Sequence, residues 1–452
     1  MSFTSCFKGI KRARPPEPTG PVVLKPPEKV FLPLRQHRGQ TCEPVVEVGQ
    51  DVAMGQVVGS SDEFESAAVL ASVSGRVEGL VEMPDPSGQL IPTLIIANDG
   101  QDTWQDPPQA VVTSAEEVTA KRPTRLLKPI RQAGLVRAAI QGLPLHVDLS
   151  PPMAPRSYLF MTGMPVTRQV DTLVVKAVDP DPPICPNHAC LKLGGPELEI
   201  GILALARIAG ATEVIVVHPA GAELGEMAEM AKNHLWNLSA VSPTKYPFTT
   251  DNLLIHHLTG REVPTPYGEP RDVGVVIEPL QTALEVGTLL LGGRPSLERV
   301  FSVAGDVANP QTFRVRLGTP VSQVLAAAGG PTAGVAKAVL GGPMMGYAHY
   351  DLDTPVTKET EGLFIQCDSN LVHYEDHPCI HCGRCVRACP VNLIPSELGK
   401  LCEFKHFDKA MEMDLFHCIE CGVCAYVCPA RRPMVHLLRH GKTELLAGRM
   451  EE

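Results

Sequence analysis

The feature that most constrains this chain is a pair of cysteine motifs near its C-terminus. Cys379 to Pro390 has the form C-x2-C-x2-C-x3-C-P, and Cys418 to Pro429 repeats that form in full. Three thiolates at this spacing wrap one face of a four-iron cubane, and the fourth cysteine, which precedes the proline, ligates the other cluster. The two motifs therefore predict two [4Fe-4S] clusters in a ferredoxin-type domain.

Crossed ligation divides the motif cysteines into two predicted ligand sets. The first cluster is expected on Cys379, Cys382, Cys385 and Cys428, and the second on Cys418, Cys421, Cys424 and Cys389. Zinc is the structural alternative, but zinc usually closes on ligands in two well-separated pairs, so thiolate triplets favour iron–sulfur. No catalytic base or nucleophile is predicted, because outer-sphere electron transfer needs none. The remaining cysteines form no second pattern of this kind, and the roles of Cys185 and Cys190 stay open.

Length and composition set the outer limits. A chain of 452 residues is long enough for about three domains, each with its own core. The first residues contain no apolar signal segment, and no apolar run reaches the about 18 to 20 residues of a membrane span, so a cytoplasmic chain without a transmembrane helix is expected. A net charge of −10 argues against nucleic acid as a partner.

Composition and periodicity divide the chain into segments of different character. Short β-type runs separated by glycine turns predict a small barrel or sandwich, whereas strands alternating with helical stretches predict an α/β domain with a largely parallel sheet. A ligand of the α/β domain is expected at the C-terminal ends of its strands. The predicted segments are an extended arm at 1–28, the barrel-sandwich domain at 29–100, a linker at 101–123, the α/β domain at 124–294, an α+β domain at 295–350 and the ferredoxin domain at 355–452.

The barrel-sandwich segment resembles lipoyl and biotinyl domains, whose hairpin presents a modifiable lysine. Here that hairpin is Ser60 to Glu65, which contains no lysine. A structural domain is therefore predicted in preference to a swinging arm.

Taken in order, the motifs resemble the C subunit of Rnf-type ion-translocating electron transport complexes over nearly the whole chain. The resemblance is carried by Phe7 to Ile10, Pro33 to His37, Val48 to Val52 with Gly55 and Gln56, His146 to Pro152, Asp171 to Leu173, Tyr246 and Pro247, Leu258 to Pro264, Gly341 to Gly346, Lys358 and the ferredoxin motifs. It implies that 295–350 is a β-grasp domain of the soluble-ligand-binding (SLBB) type. It also implies that 124–294 is a Rossmann-like homologue of the flavin-binding subunit of NADH dehydrogenase, where NADH reduces FMN and electrons leave through the clusters.

The sequence departs from the family where FMN and NADH would bind. The family's glycine-rich flavin loop aligns with Arg137 to Pro144, and three glycine positions are Arg137, Ala139 and Ile140. Glycines there let backbone amides approach the cofactor closely, and a β-branched residue supplies neither the room nor the φ. Four neighbouring stretches also differ: Lys176 to Pro182, Val217 to Ala220, Phe248 to Asn252, and Pro279. FMN is therefore not expected, and no cofactor-binding residue is assigned in this pocket.

The leading interpretation is a peripheral Rnf-C-like subunit that relays electrons without oxidising NADH. The resemblance implies the other subunits of a Rnf-like complex as partners, at the cytoplasmic face of a bacterial inner membrane. A protein donor or acceptor, such as a ferredoxin, a cytochrome or a flavoprotein, would dock near the clusters, and Arg384, Arg387, Arg431 and Arg432 offer basic contacts. The alternatives are an FMN-containing NADH-oxidising subunit, a soluble reductase similar to cobalamin reductases, and a non-enzymatic scaffold.

Overall fold

The structure is a computed structural model that describes residues 10–11, 20–139, 142–150, 169–242, 245–265, 268–371, 373 and 377–450. The predicted departure at Ile140 lies outside the described residues. The four predicted domain types all occur, in the predicted chain order.

The N-terminal part folds as two small sheets that enclose one core. The arm contributes β1 (Ile10–Lys11) and β2 (Val22–Val23), which belong to other sheets. The strands of the two small sheets are β3 (Lys29–Pro33), β4 (Glu43–Pro44), β5 (Asp51–Val52), β6 (Val57–Ser60), β7 (Val69–Leu70), β8 (Gly75–Pro84) and β9 (Leu90–Asn98). The sheet orders are β3-β9-β8-β5 and β4-β6-β7, which is the predicted barrel sandwich. The β8–β9 hairpin turns at Asp85, whose carboxylate accepts hydrogen bonds from the backbone N–H groups of Ser87 and Gln89.

The α/β domain follows. Its elements are α1 (Ala115–Ala120), α2 (Pro123–Gln132), α3 (Leu145–Leu149), β10 (Thr172–Lys176), α4 (Pro186–Cys190), α5 (Gly195–Ala209), β11 (Glu213–Pro219), α6 (Glu226–Asn233), β12 (Asn237–Val241), β13 (Lys245–Tyr246), α7 (Asp251–Thr259), β14 (Val275–Pro279) and α8 (Leu280–Gly292). The sheet is parallel, in the order β12-β11-β10-β14, as predicted for a Rossmann-like domain. The arm strand β1 pairs antiparallel with β13.

The polar stretch at 101–123 is not the plain linker that was predicted, because it contains α1. The Ser114 hydroxyl caps this helix by accepting from the Glu117 N–H, and Val118 is fully buried where α1 packs on α5. The helix was not predicted because the stretch is polar and α1 has only one fully buried apolar residue.

The β-grasp domain extends beyond its predicted end at residue 350. It contains β15 (Glu298–Gly305), β16 (Gln311–Arg316), α9 (Val321–Ala327), β17 (Val335–Leu340), β18 (Tyr347–His349) and β19 (Gly362–Cys367). The sheet order is β18-β17-β19-β15-β16-β2, so β19 lies at its centre and the arm strand β2 lies at its edge.

The last domain is helical. Its helices are α10 (Arg384–Ala388), α11 (Pro395–Glu403), α12 (Phe407–Glu412), α13 (Val423–Tyr426) and α14 (Met434–Met450). α11 and α12 lie between the cysteine motifs and pack together with α14.

Buried polar contacts connect the first three domains. Lys358 Nζ donates hydrogen bonds to the carbonyl oxygens of Ala68, in the barrel sandwich, and Gly134, after α2. Arg299 on β15 is 1% exposed and donates to Glu285 on α8 at 2.9 Å. Because removing one partner would leave a buried charge uncompensated, these contacts fix how the domains meet.

Candidate functional site

The first predicted ligand set lies around one small cavity. Cys379, Cys382, Cys385 and Cys428 line a space of about 100 Å³ in the ferredoxin domain. Cys428 reaches this space from the second motif because α13 packs against α10. Cys382 is exposed to solvent, so this set lies at the protein surface.

The second predicted set is more deeply buried than the first. Cys418, Cys421 and Cys424 lie close enough to Cys389 for their thiols to interact electrostatically. Cys389, Cys421 and Cys424 are 6%, 7% and 8% exposed. Burial raises the pKa of the Cys421 thiol to about 12, and a bound iron would supply the positive charge that favours the thiolate. The division of the eight cysteines into two ligand sets stays a prediction, and Cys428 lines one cavity with the first three cysteines while Cys389 neighbours the other three.

The two motifs also share one backbone conformation. Gly383 and Gly422 have φ values of 67° and 77°, in the left-handed region. His381 and Glu420 have φ values of 52° and 55°, and their N–H groups point at Cys379 Sγ and Cys418 Sγ at 3.4 Å. The glycines could be identified from the sequence, whereas the two non-glycine positions were missed, because left-handed residues other than glycine carry no clear sequence signal.

Residues from other domains support the second set. The Tyr246 hydroxyl donates to the Cys421 carbonyl oxygen at 2.7 Å, so the end of β13 touches the cluster loop directly. Glu420 accepts from Lys442 Nζ and Arg439 Nε, both at 2.8 Å. Although burial acts to raise the pKa of Glu420, these two cations lower it below its usual value. The sequence analysis identified none of these contacts.

A cavity of about 460 Å³ lies where the α/β, β-grasp and ferredoxin domains meet. Lys176 and Pro279, at the C-terminal ends of β10 and β14, line it, which is the predicted position for a ligand of this domain. Tyr347 from the β-grasp domain and Cys418 from the second set line other walls. The predicted pocket and the second set thus face the same space.

Three of the positions that depart from the family pattern contact each other in this cavity. Asp251 accepts from Lys176 Nζ at 2.5 Å on one carboxylate oxygen and from Arg137 Nη2 on the other. Burial acts to raise the pKa of Asp251, but the charges of Lys176 and Arg137 outweigh it and hold that pKa below its usual range. We call Arg137, Lys176 and Asp251 the ion triad.

The remaining departures surround the triad. Ala139 and Pro279 line the same cavity. Glu278, which precedes Pro279, is fully buried with one oxygen 3.9 Å from Arg137 Nε, and burial raises its pKa well above the usual value. Of the triad, Arg137 stands at one of the predicted glycine positions of the flavin loop, and it pairs there with Asp251.

The arginines proposed as basic contacts divide into two kinds. Arg384, Arg387 and Arg431 are exposed near the first set. Arg432 is 9% exposed, donates to the His377 carbonyl oxygen and pairs with Glu403. The prediction for Arg432 is therefore wrong, since its guanidinium is used inside the domain.

No helix within the described part of the chain is both long enough and apolar enough to span a membrane.

Comparison with family models matches four consecutive regions. They are the RnfC barrel sandwich hybrid domain at residues 18–101, the Nuo51 FMN-binding domain at 130–288, the SLBB domain at 300–348 and the 4Fe-4S dicluster domain at 378–431. These matches agree with the predicted domain types and with two 4Fe-4S clusters. A solved NAD+-reducing [NiFe]-hydrogenase in the H2-reduced state is 17% identical at a TM-score of 0.48, over 74% of this chain and 65% of that chain.

Curated relatives match over nearly the whole length. The C subunit of the proton-translocating ferredoxin:NAD(+) oxidoreductase complex of Clostridium ljungdahlii is 33% identical, over 94% of this chain and 90% of its own. Its counterpart in the Na(+)-translocating complex of Acetobacterium woodii is also 33% identical, over 94% and 93%. The C subunit of the ion-translocating oxidoreductase complex of Methanosarcina acetivorans is 31% identical, over 93% of each chain. With its domains in the same order and its similarity extending from end to end, this chain belongs to the family of Rnf C subunits.

Proposed function

We propose that this chain is the peripheral subunit of a Rnf-like ion-translocating oxidoreductase that relays electrons through two [4Fe-4S] clusters and does not itself oxidise NADH. The ion triad is the observation that carries the proposal. A flavin loop needs backbone amides open to the cofactor. Here the Arg137 side chain extends from that loop to Asp251 instead, and Lys176 binds the same carboxylate.

The charges of Arg137, Lys176 and Asp251 compensate one another. Random substitution in an unused pocket would not produce such a set. Lys176 is 5% exposed, and a cation this buried needs a partner. Asp251 supplies it, and Arg137 binds the second oxygen of the same carboxylate. The pocket is therefore rebuilt around internal charges, and its residues do not fit FMN.

The ligands are Cys379, Cys382, Cys385 and Cys428 for the first cluster and Cys418, Cys421, Cys424 and Cys389 for the second. When bound, the clusters supply one-electron carriers. The polypeptide positions the thiols, directs the N–H groups of His381 and Glu420 at two sulfurs, and shields the second set from water. Backbone hydrogen bonds and burial of this kind set the reduction potential.

A protein donor or acceptor docks at the exposed first set. Arg384, Arg387 and Arg431 surround it and favour an acidic partner, for example a ferredoxin, a cytochrome or a flavoprotein subunit. The other partners are the remaining subunits of the complex, which hold this chain at the cytoplasmic face of a bacterial membrane. The names of the three relatives, all C subunits of such complexes, support the assignment of the partner subunits.

The second candidate is an NADH-oxidising subunit that still holds FMN. It is favoured by the match of 130–288 to the Nuo51 FMN-binding domain and by the cavity of about 460 Å³ beside Cys418. Small-molecule sites usually have volumes of about 300 to 1,000 Å³, so a ligand of that size fits the space. The charge pairs that line the cavity oppose this candidate.

The test is anaerobic purification followed by quantification of iron, acid-labile sulfide and flavin on one sample, then NADH addition while cluster absorbance is followed. We expect about eight irons, as two cubanes require, with no flavin and no bleaching by NADH. Bound FMN at one per chain with rapid bleaching would overturn the proposal. Dithionite serves as the control that the clusters can be reduced, and co-purification with membranes distinguishes a member of a membrane complex from a soluble reductase.

A further inference from the structure

The N-terminus of α7 opens into the cavity, and it is not capped by its own side chain. Thr250 is the N-cap residue, yet its hydroxyl makes no capping hydrogen bond. Thr250 is 8% exposed, and its Oγ1 has no hydrogen-bond partner among the residues that the structure describes. A buried hydroxyl without a partner is costly, so this group points to a ligand that can bind it.

The surroundings of Thr250 have the chemistry of an anion site. The first N–H groups of a helix have no partner within the helix, and the helix dipole places partial positive charge there. α7 has nine residues, so it is long enough to have such a helix dipole. Thr250, Arg137 and Lys176 line the same cavity, which adds two cationic side chains to the helix end.

One carboxylate already binds the two cationic side chains, whereas Thr250 Oγ1 has no partner among the described residues. Asp251 is the first residue of α7, and it receives both cations. Its side chain is 26% exposed and lies at the cavity wall, where a ligand from solvent could reach the same groups.

We propose that Arg137, Lys176 and the Thr250 end of α7 form an anion-binding site whose two cations the Asp251 carboxylate holds as an internal ligand. Asp251 thereby excludes phosphate-bearing molecules from the cavity beside the second cluster. When its carboxylate is removed, a small oxyanion of the phosphate class binds in its place. This inference rests on the proposed loss of the flavin site.

The experiment uses the full-length, cluster-loaded protein with Asp251→Ala, and inorganic phosphate as the probe. Binding is measured anaerobically by calorimetry and by the rise in melting temperature, with chloride at equal ionic strength as the reference. Charged hydrogen bonds of this kind lead us to expect phosphate to bind the variant about tenfold to a hundredfold more tightly than wild type. Adding Lys176→Met to the variant should remove that gain.

Asp251→Ser is the second variant, because serine is compatible with a helix start and protects against a failure of Asp251→Ala to fold. Glu223→Ala is the matched control: it also frees a lysine, Lys192, but at an exposed pair without a helix end. That control should gain no phosphate binding.

Folded Asp251 variants that bind phosphate no better than wild type, or a wild type that binds it equally well, would overturn the inference. Flavin content of the wild type decides the proposed function separately. A flavin-free wild type with unresponsive Asp251 variants would reject this inference alone.

Discussion

Replacing Lys176 by methionine removes one cation of the ion triad and keeps most of the side-chain volume. At 2.5 Å from Asp251, with an effective dielectric constant of about 20, the pair gains about 7 kcal/mol of Coulomb energy before desolvation is subtracted. Breaking a buried pair costs about 3 to 5 kcal/mol. Because the Asp251 side chain is 26% exposed and keeps Arg137 as a partner, we expect a loss of about 2 to 3 kcal/mol.

The assay is anaerobic thermal unfolding of the α/β domain, followed by far-ultraviolet circular dichroism. For a domain of this size the loss corresponds to roughly 4 to 12 °C in melting temperature. Asp251→Asn should be destabilised at least as much, because it leaves two cations facing each other. In the double variant the two losses should not add, and the coupling should be about 2 kcal/mol.

Lys192→Met is the matched control, because Lys192 pairs with Glu223 at 2.9 Å while the Glu223 side chain is 84% exposed. Surface pairs contribute about 0 to 1 kcal/mol, so this variant should melt close to wild type. If Lys176→Met behaved like this control, or if the triad variants added without coupling, the departures would not be mutually compensating. The reasoning from the triad to a rebuilt pocket would then be refuted.

Three further predictions concern the clusters and the cavity. Cys428→Ala should lose the first cluster although Cys428 belongs to the second motif, leaving about four irons and only the second cluster's paramagnetic resonance signal. Cys402→Ala should keep about eight irons. Loss of the second cluster's signal in Cys428→Ala would disprove crossed ligation. Tyr246→Phe removes the hydrogen bond to the Cys421 carbonyl, so the second cluster's midpoint potential should shift while the first cluster's stays constant, and a redox titration with equal shifts would contradict this. Burial raises the pKa of Glu361 to about 7. The folded state therefore holds a proton that the unfolded state releases above about pH 4.5. As a result, the free energy of unfolding should fall as pH rises from about 5 to 7. Glu361→Gln should lack that component, and an unchanged difference between wild type and variant across this range, measured by melting temperature, would count against it.

The cysteine motifs and the strand patterns predicted the domain types because those signals are local. Three cysteines at fixed spacing specify the loop that binds one cluster. The fourth cysteine of each motif, which precedes a proline, indicates that it ligates the other cluster. The polar stretch at 101–123 is more than a linker because two buried valines, Val112 and Val118, join the core of the α/β domain and α1 packs on α5. The SLBB match at 300–348 lies within the predicted bounds 295–350, but β19 joins the centre of that sheet from beyond residue 355, which no local signal indicates.

The triad was not predictable as a triad, although each of its members was noted as a departure. Arg137 and Asp251 are 114 positions apart, and Lys176 and Asp251 are 75 apart. A parallel sheet brings such residues together at one edge only once its strand order is known, and that order is decided by packing of the whole domain. Sequence reasoning therefore identified a pocket that had changed, and only the fold could show that the changes neutralise each other.

The placement of the two ligand sets decides where a relay of this kind exchanges electrons. The first set has an exposed member, Cys382, whereas three members of the second set are buried, and one of these, Cys421, packs with Tyr246, Ile10 and Met344. The second set reaches open space at the cavity, through Cys418. Under the proposed function, in which Asp251 holds the cations of that cavity and no flavin binds there, protein docking is the route that suits both ends of the relay. The first set then faces one partner across an exposed basic surface. The second set can serve another partner only where that partner contacts the rim of the cavity, near Tyr347 and Arg439.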